Sequence, residues 1–130
     1  MQIKSGQLKA AVRMAVLCLA SSLATGVAFG QTLSSSQLKK LTASAATASD
    51  HTKLARHYEG VALKHDAEAK EHEELAEQYT KNPTGHEQKH PMSGQTAAHC
   101  KHYAEHCRNA AKAAREMAAA HTAMAKQDSK

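Results

Sequence analysis

The chain has no tryptophan. Its one phenylalanine, Phe29, sits in an apolar N-terminal stretch, and only three tyrosines complete the aromatic set. So few rings exclude a large aromatic core and a base-stacking surface for single-stranded nucleic acid. Proline is confined to Pro83 and Pro91, so long tracts on either side are free of the residue that most readily breaks a helix. There is no glycine-rich phosphate loop, no nucleophile elbow and no C-x-x-C-H haem attachment. Cysteine does stand beside histidine at His99-Cys100 and His106-Cys107, but neighbours on a helix point about 100° apart, a poor geometry for activating a thiolate. The composition points away from an enzyme.

The first thirty residues have their own pattern. Lys4, Lys9 and Arg13 precede an apolar run from Met14 to Phe29, and small residues stand at Ala28 and Gly30. This is the layout of a secretory signal peptide, residues 1–30, cut after Gly30, and it predicts a periplasmic or secreted protein with no permanent membrane anchor. Cys18 would leave with it. Residues 31–130 then carry fourteen basic and twelve acidic side chains, too even a balance for a nucleic-acid partner. All ten histidines lie in this part. They would let it gain many charges on mild acidification.

What the chain has in abundance is alanine at a fixed interval. Ala48, Ala55, Ala62, Ala69 and Ala76 recur every seventh residue, as do Ala97, Ala104, Ala111, Ala118 and Ala125. The blocks HTKLARHY (51–58) and HEELAEQY (72–79) repeat three heptads apart, and CKHYAEHC (100–107) and HTAMA (121–125) fit the same frame. A heptad held this long predicts coiled-coil helices, with alanine allowing close approach. The fold class is therefore all-α: an alanine-rich antiparallel two-helix hairpin within 47–128. Its first helix spans 47–81, capped by Thr47 with Asp50. Its second spans 94–127, capped by Ser93, after a proline- and glycine-bearing loop, 82–93. Residues 31–46 read as a serine-rich flexible arm or a short helix. With alanine at the fifth heptad place, the first and fourth places form a seam poor in large apolar residues. Homo-oligomerisation, most simply dimerisation into a four-helix bundle, would cover so thin a core.

Folding the hairpin about its loop, with paired residue numbers adding to roughly 176, brings Cys107 level with Ala69, between Glu68 and His72. The main candidate metal site is accordingly His65, Glu68, His72, Cys100 and Cys107. Imidazole, carboxylate and thiolate together suit a zinc ion, or copper where soft donors dominate. Cys100 and Cys107 are too far apart along one helix for a disulfide with each other, which leaves pairing between subunits or a soft ligand. A weaker site is the outward trio His99, His102 and His106, with Glu71 or Glu74 reaching across. Another joins His51, Met117, His121 and Met124, whose thioethers would favour Cu(I) if they do more than fill the core.

Three functions follow from these residues. The chain binds or buffers metal ions in the cell envelope; or it is a non-catalytic structural module that assembles through its alanine stripe; or it is a pH-responsive protein whose internal histidines loosen the helices on protonation.

Overall fold

The computed structural model describes residues 32–130. They form α1 (Ser35–Ser44), α2 (Ala48–Lys81) and α3 (Ala97–Gln127), with no strand among the described residues. The two long helices pack antiparallel, and α1 lies against α2. The expected signal peptide falls outside the described residues. Within them, no helix is long and apolar enough to cross a membrane.

Local chemistry sets the helix ends. Thr47 caps α2: its hydroxyl accepts the Asp50 N–H at 3.2 Å and donates to the Asp50 carboxylate at 2.8 Å. That hydroxyl is the main cause of an Asp50 pKa below its ordinary value, and the charge sits where the helix dipole favours it. Lys81 occupies the last turn, Asn82 closes the helix by donating to the Gln78 carbonyl, and Pro83 prevents continuation. In the loop Gly85 takes φ +83°, a left-handed conformation suited to glycine.

The second long helix begins at Ala97, with Thr96 as its cap, and not near Gly94 with Ser93. After Pro91 the chain first makes a tight turn, in which the Ser93 carbonyl accepts the Thr96 N–H at 3.1 Å. Thr96 is fully buried; its hydroxyl lies against the carbonyls of Pro91 and Ser93 and accepts the His99 N–H at 3.2 Å. Ser93 contributes its carbonyl to that turn and does not cap the helix.

The core also differs from the expected seam. Buried on α2 are Leu54, His57, Gly60, Ala62, Ala69 and Ala76, and on α3 Cys100, Ala104, Cys107, Ala111, Ala114 and Ala118. Alanine at the fifth heptad place is thus the contact itself, joined on α3 by the first place. The fourth place on α3 turns outward, leaving Tyr103, Met117 and Met124 exposed. The reason is steric: a small-residue stripe permits an approach that a central tyrosine or methionine would prop apart. Large side chains are displaced to one rim, where Tyr58, Val61, His65, Glu68, His72, Leu75 and Tyr79 of α2 are half-buried.

The register agrees with the expected one, since Ala69 clusters with Ala104 and Cys107, and Ala62 with Ala111 and Ala114. These alanines bury one another within one chain. Two ion pairs cross between the helices, Arg108 with Glu73 and Arg115 with Asp66, on exposed surface where such pairs guide register more than they stabilise.

The segment 31–46 contains α1, opened by a reciprocal capping box between Ser34 and Gln37. Just before it, the Leu33 N–H donates to Nδ1 of His57 at 2.9 Å. His57 is buried, and burial lowers its pKa.

Candidate metal centre

Three donors from two helices meet on the rim beside the alanine seam. His65, Glu68 and Cys107 each offer one ligand atom, and these atoms lie within 4.8 Å of one another. His65 and Glu68 are one turn apart on α2, so helix periodicity alone aligns them. Cys107 arrives from α3 because it occupies a seam position against Ala69 and Ala104. Small neighbours let its sulfur reach the level of the carboxylate.

Glu68 is the hub of the group. Its Oε2 is 3.0 Å from His65 Nδ1 and 3.8 Å from the Cys107 sulfur, whose S–H donates to it. Its other oxygen is 3.9 Å from the Lys64 ammonium. Burial first, and then the Glu68 charge, push the Cys107 thiol above its ordinary pKa. The neighbouring Tyr103 phenol opposes this rise, and its own pKa is pushed up, first by Cys107 and then by Glu68. Without a cation the group therefore holds its proton on sulfur. A bound cation would replace that proton, as thiol ligands require.

The other residues expected at this site stand nearby but outside the trio. His72 lies one turn beyond Glu68, with its ring 4.0 Å from that of Tyr103 and its Nδ1 buried without a hydrogen-bond partner. Cys100 is fully buried two turns away along α3, and burial raises its pKa too. Both thiols are free and buried, so a disulfide between subunits would require the hairpin to open. Tyr103, absent from the expected set, is the added neighbour; its place four residues before Cys107 was the available signal.

The weaker groups divide. His102 and His106 bring their Nε2 atoms within 3.2 Å on the exposed face of α3, whereas His99 stacks toward Tyr103 at 6.3 Å. Glu74 pairs with Lys70. At the open end of the hairpin, His51 and His121 bring their Nδ1 atoms within 3.1 Å, while Met117 and Met124 remain exposed on the rim.

The loop carries H-E-x-x-H spacing at His86-Glu87-Gln88-Lys89-His90. In metalloproteases that motif needs a helix with a free glutamate. Here it forms one isolated turn, closed by the His90 N–H donating to the His86 carbonyl at 2.7 Å. The Glu87 carboxylate is engaged by the Thr84 N–H and hydroxyl, and backbone hydrogen bonds lower its pKa. A glutamate held this way is not placed as a general base.

The fold and this group define a small all-helical hairpin with a His/Glu/Cys cluster able to hold a metal ion. Neither a protein-family model, nor a curated protein, nor a solved structure matches the chain.

Proposed function

We propose that the chain is an exported metal-binding protein that takes up a zinc-like or copper ion at His65, Glu68 and Cys107. The observation that carries this reading is the convergence of an imidazole, a carboxylate and a thiol from two helices within 4.8 Å. Two features favour reversible loading over a closed structural site. Three protein donors leave one place of a tetrahedral ion for water, a partner's ligand or a fourth side chain. His65 and Glu68 are also about one-third exposed, which gives an ion a path in. His72, whose buried Nδ1 has no hydrogen-bond partner, would supply a fourth donor if its side chain rotated.

Zn(II) and Cu(I) affinities of the untagged chain, measured by chelator competition under reducing conditions, test the proposal. The expected result is a tight equivalent that Cys107→Ala and Glu68→Gln each weaken at least about tenfold, the range typical of losing a ligand or its close support. Equal affinity in the Cys107→Ala chain would exclude the site.

A further inference from the structure

At the open end of the hairpin a second group has the form of a metal site without using any residue of the first. His51 lies in the first turns of α2 and His121 near the end of α3, seventy residues apart in sequence. Their Nδ1 atoms face each other at 3.1 Å. The rings are preorganised. The His121 ring lies end to end with that of His51, centroids 5.3 Å apart and planes 23° from parallel, and is nearly parallel to Tyr58, 4° between planes at 5.7 Å. On the far side of the His51 ring, Nε2 is 3.6 Å from the Asp128 carboxylate.

Two neutral imidazoles can face nitrogen to nitrogen only by sharing one proton, one ring donating and the other accepting. A cation can take the place of that proton. Nitrogens 3.1 Å apart, each about 2.05 Å from an ion, subtend about 100° at it, close to the tetrahedral angle. Asp128 supplies the second observation. It is the C-cap of α3, the end of a helix dipole where a negative charge is disfavoured. A carboxylate facing the outer nitrogen of a metal-bound histidine is, however, the common arrangement that orients the ring and raises its basicity. A bound cation gives Asp128 the countercharge its position lacks.

We propose that His51 and His121 form a second metal site, oriented by Asp128, which takes an imidazole-seeking divalent ion, Cu(II) most tightly, and staples the open end of the hairpin. Cu(II) leads because the donors are nitrogen without sulfur, where the divalent series peaks at copper. The site differs in kind from the thiolate-bearing centre, and loading it ties the first turns of α2 to the last turns of α3.

Cu(II) alone is the probe, added to the full chain carrying Cys107→Ala and His102→Gln, which removes the first centre and the exposed histidine pair. The expected result is one equivalent with nitrogen couplings in the electron paramagnetic resonance spectrum. At free ion about ten times Kd, amide exchange at both ends flanking the site should slow about tenfold. Adding His121→Gln, or His51→Gln should the first variant lose its helicity, removes one equivalent and the slowed exchange together. Unchanged stoichiometry, or slowed exchange that persists in the His121→Gln chain, overturns the second site. Failure here leaves the first centre untouched, since that is judged by the unsubstituted chain against Cys107→Ala alone.

Discussion

Replacing Ala111 by leucine tests the alanine seam most directly. Ala111 has no exposed surface and packs against Ala62 and Ala114, with Val61 at the edge. Helix axes in contact lie about 8–10 Å apart depending on the side chains between them, so alanine sets the near limit and leucine requires roughly 1–2 Å more. Opening a contact by about 0.5–1 Å already forfeits a quarter to a half of its dispersion energy, and overpacking typically costs about 1–3 kcal/mol. Net stability for a chain of this size is about 5–15 kcal/mol, and the thin seam argues for the lower end. Ala111→Leu should therefore lower Tm by about 5–20 °C. The assay is urea and thermal unfolding followed by circular dichroism, with Ala113→Leu on the exposed face as the control, expected within about 0.5 kcal/mol of the parent. If the two variants proved equally stable, the helices would not meet through Ala111 and the seam as described would be wrong.

Further outcomes follow from other residues. Because burial alone lowers the His57 pKa from its ordinary 6.5, the folded chain resists a proton that the unfolded chain accepts. The stability contributed by this histidine is complete above about pH 7 and falls as pH drops below 6.5. Protonation would also end the acceptance of the Leu33 N–H, so amide protection in Ser35–Ser44 should fade between pH 7.5 and 5, and in the His57→Leu chain it should not vary with pH; constant protection in the parent chain would refute this. Thr96→Ala should cost about 1–2 kcal/mol in chemical denaturation, through loss of a helix cap and of a buried hydroxyl's partners. Arg115→Ala should cost less than about 1 kcal/mol, and less still at high salt, since the pair it breaks with Asp66 is exposed.

Much of this architecture was legible because alanine spacing and turn residues act locally. The five-heptad runs mark both long helices, Pro83 and Gly85 mark the turn, and a symmetric fold about the loop puts Cys107 beside Ala69. What escaped depends on how the helices rotate about their axes. Conventional labels put Tyr103, Met117 and Met124 at the interface, but the closest approach belongs to the smallest residues, so those side chains turn outward. Distance along the axis, and not rotation, separates the expected ligands: His65, Glu68 and Cys107 meet at one level, whereas His72 and Cys100 lie further along their helices. His57 was missed because its burial depends on the segment around Leu33 and not on the heptad. Thr96 displaced Ser93 as the cap because the tight turn after Pro91 consumes the Ser93 carbonyl.

The alanine seam also acts as a filter on what can react with sulfur. Cys107 is only 5% exposed, enclosed by the methyl groups of Ala69 and Ala104, yet its thiol faces a carboxylate that solvent reaches. Thiol exchange requires in-line attack by a second sulfur and the bulk attached to it, and such access is closed while the helices stay together. A single metal ion needs no such room. In an oxidising compartment, tight alanine packing would thus keep Cys107 out of disulfide exchange by excluding bulky partners, while leaving it open to ions.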